Sequence, residues 1–240
     1  LELLVCTAKA LRNLGYNKLA VHITYLLGAR SDRRFNAGSA HYLKEVICPI
    51  INSLDFCTVN VLDPHSSVVE ACLNNFCAED NYAFFNHAIE SIDSQLFMTN
   101  KQIVLIAPDA GAAKKVYSTA EKIKFHGTII AANKDRNTET GKIDKVTFPK
   151  GSEEKIVGNL CVVMDDICDG GATFIALAKE LKKIQYEKPF LMVSHGIFSK
   201  GIEGLFDFYQ EIYTTNSYRD LAISERLSAK NLYVFDVTGN

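Results

Sequence analysis

The chain has 240 residues, of which 48% are hydrophobic and 22% are charged, and its formal net charge at pH 7 is −2. This composition is typical of a globular protein with a substantial core, and the lack of a basic excess argues against a non-specific nucleic-acid binder. No apolar run reaches the length needed to cross a bilayer, and we expect neither a membrane span nor a signal peptide.

The first predicted element is a helix at the start of the chain. Its apolar residues recur at helical spacing and a glycine follows as a C-terminal cap: Leu1, Leu4, Val5, Ala8, Leu11 and Gly15. Because the chain has neither an initiator Met nor an N-cap residue, we expect that it starts inside a helix and that an upstream segment is missing.

Strands and helices alternate after this first helix. In chain order they are the strand LAVHITYLL, the loop GARSDRRFNAGSA, the helix HYLKEVICPIINSL, the strand TVNVLD, the loop and helix PHSSVVEACL, the strand KQIVLIAPD, the helix AGAAKKVYSTAEKI and the strand TIIAANK. The polar segment DRNTETGKIDKV, the strand LCVVMDD, a helix from about Thr173 to Lys183 and the strands FLMVSHGIF, EIYTTN and LYVFDV complete the chain. This alternation predicts an α/β protein with mostly parallel sheets. Each half repeats one plan, so we expect two similar lobes, 1–100 and 101–240.

Seven cysteines are scattered along the chain without a CxxC pair or the spacing of a zinc site. Their odd number and their positions in strands and helices predict reduced, mostly buried thiols in a cytoplasmic protein.

The stretch DDICDGGAT follows the apolar part of the strand LCVVMDD and precedes a helix. Asp165 and Asp166 are adjacent carboxylates, which suit the hydroxyls of a ribose diol or a metal ion. The turn from Asp169 to Thr173 can present backbone N–H groups to an anion at a helix N-terminus. The alternative is a tight turn capped by Asp169, but three aspartates at this spacing favour a sugar-phosphate site.

This stretch resembles the ribose-phosphate loop, DDxxDTGGT, of the phosphoribosyltransferase-like fold. Five more segments resemble ribose-phosphate pyrophosphokinases (PRPP synthetases) in the order of that family: GARSDRRF resembles YARQDRR, DPHSS resembles DLH, APDAGAAKK resembles SPDxGGxxR, NKDR resembles DKRR and SHGIF resembles THGIF. The resemblance covers nearly the whole chain, which is identified as a divergent member of that family.

The resemblance implies two phosphoribosyltransferase-like lobes and an enzyme that uses Mg²⁺. The enzyme would transfer the diphosphoryl group of ATP to the anomeric 1-hydroxyl of ribose 5-phosphate, giving PRPP and AMP. The family's roles fall on this sequence as follows: ATP at Arg30, Ser31, Asp32 and Arg33; Mg²⁺ at His65 and Asp109; catalysis at Lys134 and Arg136; ribose phosphate at Asp165, Asp169, Gly170, Gly171, Ala172 and Thr173, with Asp166 beside them. The resemblance also implies a homo-oligomer, dimer or higher, with no nucleic-acid or membrane partner.

Simpler interpretations stand beside these roles. His65 could be a loop histidine bonded to backbone, Asp109 only a helix N-cap, and Lys134 and Arg136 solvated charges beside a flexible loop. In the functional interpretation, the polar segment 137–150 is mobile and closes over the transferring group.

Three departures from the family pattern leave other functions open. The family's N-terminal FxDGE segment is absent, Ser31 stands where Gln is usual, and Gly170 stands where the loop has Thr. Loss of the hydroxyl at residue 170 makes room for a substituted phosphate, so ADP-ribose is an alternative substrate, which would link the protein to NAD salvage. A catalytically silent regulatory homologue and a phosphoribosyltransferase that consumes PRPP are further alternatives. The retained Lys134 and Asp165 disfavour the former and the NKDR segment the latter.

Overall fold

A computed structural model describes residues 1–34, 36–96, 99–136, 143–221 and 231–238, with the side chains of residues 135, 136, 143 and 144 left out. The chain divides into two compact units, Leu1–Asn81 and Tyr82–Asn240. Within the described residues, no helix is both long and apolar enough to span a membrane.

The first unit is built on a parallel sheet of three strands among the described residues, in the order β1-β2-β3. Its elements are α1 (Glu2–Asn13), β1 (Ala20–Ile23), a π-helical segment (Leu43–Ile47), α2 (Cys48–Asn52), β2 (Thr58–Leu62), α3 (Val68–Cys72) and β3 (Phe76–Glu79). The central strand β2 buries Val59 and Val61 almost completely. Gly15 follows α1 with a φ of +91°, the left-handed conformation predicted for the residue after a helix.

The second unit holds a parallel sheet of six strands within the described residues, in the order β11-β10-β9-β8-β4-β5. Its elements are α4 (Tyr82–Ser94), β4 (Ile103–Ala107), α5 (Ala110–Lys122), β5 (Thr128–Ala131), β6 (Asn133–Arg136), β7 (Ile143–Thr147), α6 (Ser152–Ile156), β8 (Leu160–Cys168), α7 (Ala172–Ile184), β9 (Phe190–Gly196), α8 (Glu203–Phe206), β10 (Ile212–Thr215) and β11 (Leu232–Phe235). Strands β6 and β7 form a separate antiparallel pair. The predicted α/β class with mostly parallel sheets is confirmed.

Strand β8 runs through the centre of this sheet and is covered on both faces. Val162 and Met164 pack into one core cluster together with α4 and α5, whereas Cys161 and Val163 pack into another together with α7. This alternation follows from the two-residue period of a strand. It places α5 and α7 on opposite faces of β8, so that the β4–α5 and β8–α7 turns approach each other at one edge of the sheet.

The division of the chain differs from the one predicted near residue 100. Helix α4 packs its apolar residues into the core of the second unit, against β4 and β9: Phe84, Phe85, Ala88 and Ile92. Neither α4 nor β3 was predicted from the sequence. The polar segment DRNTETGKIDKV begins within β6, which ends at Arg136, and its last residues lie in β7, which begins at Ile143.

The prediction of mostly buried thiols was also wrong, although all seven cysteines are free. Cys48, Cys161 and Cys168 are buried, Cys72 is half-buried, and Cys6, Cys57 and Cys77 are exposed.

Candidate active site

The turn between β4 and α5 is fixed by Asp109. Its backbone is extended, with φ −160° and ψ 177°, and its carboxylate Oδ1 accepts a hydrogen bond from the backbone N–H of Ala112 at 3.0 Å. Asp109 is therefore the N-cap of α5, as the simpler interpretation expected. Its second carboxylate oxygen remains available for another partner.

That partner is Lys134, which projects from β6. Its Nζ lies 3.2 Å from Oδ2 of Asp109 and donates a hydrogen bond of 3.0 Å to Oγ1 of Thr173, in the first turn of α7. The side chain of Lys134 is only 5% exposed. The alternative of a solvated charge is thus wrong for Lys134, which joins the β4–α5 turn to the start of α7.

The electrostatics of Asp109 reflect this contact. Burial by itself raises its pKa, but the hydrogen bond from the Ala112 N–H and the charge and hydrogen bond of Lys134 outweigh burial. The pKa of Asp109 consequently lies below its ordinary value, so Asp109 and Lys134 form a charged pair.

Asp165 and Asp166 lie within β8 and not in a loop after it, because the strand continues to Cys168. Asp166 is buried, and its carboxylate Oδ2 lies 3.4 Å from Nζ of Lys115 on α5. Asp165 is half-buried, and its Oδ1 accepts a hydrogen bond of 2.9 Å from the Asp166 N–H. The pKa of Asp165 is raised well above its ordinary value, first by burial, then by the adjacent Asp166, and also by the charge of Asp109.

The turn after β8 leads into α7 through two glycines with different surroundings. Gly171 has a φ of +75°, and a Cβ placed there would lie 3.1 Å from Cδ2 of Leu205. Gly171 occupies the N-cap position of α7, with no side-chain cap. The N-cap residue of α7 is therefore not Asp169. Gly170 has room for a Cβ in ordinary contact, at 3.4 Å, with the side chain of Lys200.

Ala172 and Thr173 form the first residues of α7, where backbone N–H groups lack helical partners and the helix dipole favours an anion. Ala172 is exposed and Thr173 is half-buried. This arrangement suits a phosphate group.

The residues assigned to ATP lie in the first unit, in the loop after β1. Arg30 and Arg33 are exposed, and Ser31 and Asp32 are half-buried. The backbone of Ser31 holds the loop in shape, because its N–H donates to Gly28 at 2.8 Å and its carbonyl accepts from Leu43 at 3.2 Å.

The two residues assigned to Mg²⁺ belong to different units. His65 is exposed and lies between β2 and α3 in the first unit, whereas Asp109 belongs to the second unit. Among the described residues, no group of three or more His, Cys, Asp or Glu side chains is arranged to hold a metal. Mg²⁺ commonly takes one or two carboxylates together with substrate phosphates. The carboxylate of Asp109, or the adjacent carboxylates of Asp165 and Asp166, would meet that requirement.

Arg136 lies in β6, but its side chain is outside the described residues, as are residues 137–142. The segment predicted to close over the site, 137–150, is therefore described only from Ile143. There, β7 pairs with β6 in the register Lys134 opposite Val146. Its closure stays a prediction.

Sequence reasoning missed two cations at this site, Lys115 and Lys200. A helical pattern places Lys115 in the second turn of α5 but does not reveal Asp166 as its partner. Lys200 lies thirty residues after Gly170 in the sequence, and no local pattern links the two.

Comparisons with known proteins identify the family of the chain. The model of the phosphoribosyl transferase domain family matches residues 80–200. The ribose-phosphate pyrophosphokinase of Mycoplasmopsis pulmonis is 24% identical over 226 residues, which cover 90% of this chain and 64% of the relative. That of Saccharolobus solfataricus is 26% identical over 174 residues, which cover 70% of this chain and 54% of the relative. The chain thus spans less than two thirds of the length of these curated relatives.

A solved structure shows the same fold. The phosphoribosylpyrophosphate synthetase of Mycobacterium smegmatis superposes with a TM-score of 0.79 at 16% identity, covering 97% of this chain and 72% of that one. The predicted phosphoribosyltransferase-like fold and the recognition of a divergent relative of the ribose-phosphate pyrophosphokinases are both confirmed.

Proposed function

Because the chain belongs to the phosphoribosyl transferase domain family, we propose that it is a diphosphotransferase of the ribose-phosphate pyrophosphokinase type. It would transfer the β,γ-diphosphoryl group of ATP to the anomeric 1-hydroxyl of a ribose-5-phosphate moiety and release AMP. The observation that carries this proposal is the contact of Lys134 with both Asp109 and Thr173. Through this contact, the ammonium group of Lys134, the carboxylate of Asp109 and the β8–α7 turn lie together at one edge of the sheet.

The binding of the sugar follows from the β8–α7 turn. The backbone N–H groups at the start of α7 and the hydroxyl of Thr173 would hold the phosphate of the substrate. The carboxylates of Asp165 and Asp166 would accept hydrogen bonds from the ribose hydroxyls. A bound diol or cation would relieve the repulsion that raises the pKa of Asp165.

Lys134 would stabilise the negative charge on the transferring group. Diphosphoryl transfer requires little covalent chemistry from the protein, so positioned cations provide most of the catalysis. Arg136, which lies two residues after Lys134 on β6, is proposed as a second cation that stabilises this charge. Mg²⁺, with Asp109 and the nucleotide phosphates as proposed ligands, would neutralise the phosphate oxygens. His65 is proposed as a metal ligand from the resemblance alone. The loop containing Arg30, Ser31, Asp32 and Arg33 is proposed to bind ATP.

Two acceptor substrates suit this site. Ribose 5-phosphate is the first, in line with the names of the curated relatives. ADP-ribose is the second, because Gly170 lacks a side chain beside the phosphate end, and the reaction would then belong to NAD metabolism. A catalytically silent regulatory homologue is disfavoured by the retained Lys134 and Asp165.

We further propose that the protein acts in the cytoplasm as a homo-oligomer of dimeric or larger size, with neither nucleic-acid nor membrane partners.

The proposal is tested by measuring AMP release from ATP and Mg²⁺ by the full-length protein. Ribose 5-phosphate and ADP-ribose are offered separately, with a reaction lacking an acceptor as the control. AMP formation that depends on ribose 5-phosphate supports a PRPP synthetase, and formation that depends only on ADP-ribose supports the alternative. Release of ADP in place of AMP, or no nucleotide turnover with either acceptor, contradicts the proposed reaction.

A further inference from the structure

A lysine lies across the glycine that departs from the family loop. Lys200 follows β9, and its side chain passes over Gly170. Measured from the position that a Cβ would take at Gly170, the Cγ, Cδ and Cε atoms of Lys200 lie at 3.7, 3.5 and 3.4 Å. The methylene chain therefore approaches residue 170 more closely towards its charged end, and Nζ lies one bond beyond Cε.

Backbone hydrogen bonds hold the Lys200 segment against the β8–α7 turn. The N–H of Ser199 donates to the carbonyl of Asp169 at 3.2 Å, and the N–H of Phe198 donates to the carbonyl of Cys168 at 3.1 Å. The ring of Phe198 is only 1% exposed and belongs to the core that also contains α7. Lys200 is thus carried on a backbone that is fixed to the turn, while its own side chain remains exposed.

We propose that Lys200 is a specificity-determining residue that binds the phosphate group on C5 of the ribose substrate. This inference rests on the proposed function. The ammonium group takes the place of the hydroxyl that a threonine at residue 170 would have offered. A cationic donor forms a stronger hydrogen bond to phosphate than a neutral hydroxyl does. The missing side chain at Gly170 is what lets the lysine stem lie over the turn.

The geometry also predicts that residues 170 and 200 act together. A Cβ at residue 170 only touches the stem of Lys200, but the two further heavy atoms of a threonine would press against it and displace the ammonium group. Threonine would at the same time supply a hydroxyl. Gly170→Thr should therefore recover part of the binding lost in Lys200→Gln.

The experiment measures kcat and KM for ribose 5-phosphate and for ADP-ribose in wild type, Lys200→Gln, Lys200→Arg and Lys182→Gln. Lys182 is the matched control, since it is exposed in the last turn of α7, at the opposite end of that helix from the turn. We expect Lys200→Gln to raise the acceptor KM by about tenfold, the effect of one charge-assisted hydrogen bond, with kcat nearly unchanged. Lys200→Arg should keep a KM close to that of the wild type, and Lys182→Gln should match it.

Equal KM values in Lys200→Gln and Lys182→Gln would overturn the inference. So would a fall in kcat at constant KM, which would indicate that Lys200 acts on the transferring group. If KM rises only for ribose 5-phosphate, Lys200 binds a phosphate monoester. If KM rises only for ADP-ribose, Lys200 binds a substituted phosphate.

Direct titration of the same variants with each acceptor, without ATP, separates this inference from the proposed reaction. If the wild type binds ribose 5-phosphate but releases no AMP, the proposed function fails, and weaker binding by Lys200→Gln still supports the role of Lys200. If the wild type binds neither acceptor, both proposals fail.

Discussion

The buried ammonium group of Lys134 can be removed with little change of shape by the substitution Lys134→Met. The methionine fills most of the same space but loses the contact of 3.2 Å with Asp109 and the hydrogen bond of 3.0 Å with Thr173. If Lys134 stabilises the transferring group, activity should fall far more than stability does.

The structure sets the size of both effects. Removing one partner of a fully buried ion pair costs about 3–5 kcal/mol, because the other charge is left without compensation. Asp109, however, is 34% exposed and keeps its hydrogen bond from Ala112, so we expect a loss of about 1–2 kcal/mol. That corresponds to a decrease in Tm of roughly 2–8 °C for a domain of this size. Loss of a preorganised cation should lower kcat by about 10²–10³-fold.

The assay compares AMP formation and thermal unfolding in wild type, Lys134→Met and the control Lys114→Met, which removes an exposed lysine from α5. The control should keep both properties. A kcat of Lys134→Met within threefold of the wild type would refute the catalytic role. A threefold change corresponds to only about 0.6 kcal/mol of activation free energy. Loss of activity together with unfolding at the assay temperature would show instead that the lysine is structural.

Two further predictions concern the end of β8 and the turn that leads from it into α7. The pKa of Asp165 is raised in the folded state by burial and by Asp166, so the folded protein binds more protons than the unfolded chain, and this group lowers stability as pH rises above about 4. Asp165→Asn should therefore be more stable than wild type near pH 8, and the gain in Tm should vanish towards pH 4; a gain that does not depend on pH would contradict this. Gly171→Ala should lose about 1–2 kcal/mol in denaturant unfolding because of its positive φ, with a further loss from the contact at 3.1 Å with Leu205. Gly170→Ala, the matched control, should change stability little, and equal losses in the two variants would contradict the geometry.

Two acidic members of the site could be predicted from the sequence because each lies at or near the end of an apolar strand. Asp109 follows β4 and Asp165 lies near the end of β8, and the carboxyl ends of parallel strands share one edge of a sheet. The same reasoning did not reveal that Lys134 is buried, since a lysine on a short strand of polar residues has no apolar pattern around it. Its burial comes from the meeting of β6 with α5 and α7.

Two of the missed elements, β3 and β7, lack a strong periodic signal. Strand β3 buries no side chain completely, and three of its four residues are exposed, so FCAE shows no apolar run. Among the described residues, strand β7 pairs with β6 alone, and such a two-stranded pair requires no continuous hydrophobic face. Contacts such as Lys115 with Asp166 join separate elements and become visible only when those elements are packed.

Two assignments stay predictions. They are the binding of ATP by Arg30, Ser31, Asp32 and Arg33 and the binding of a metal by His65. These residues belong to the first unit, and their contacts with a nucleotide or a metal follow from the resemblance alone. Variants of Arg33 and His65 in the AMP assay would test them in the same way as Lys134→Met.

The central claim is transfer of an intact diphosphoryl group to the anomeric hydroxyl of a ribose phosphate. Mass spectrometry of the acceptor after reaction with ATP and Mg²⁺ tests it most directly, with ³¹P NMR to locate the new group. We predict an acceptor that has gained one diphosphoryl group on C1, formed in equal amount with AMP, and formation of both products about 10²–10³-fold more slowly by Lys134→Met. An unchanged acceptor, or one that has gained a single phosphoryl group together with ADP, would contradict the account.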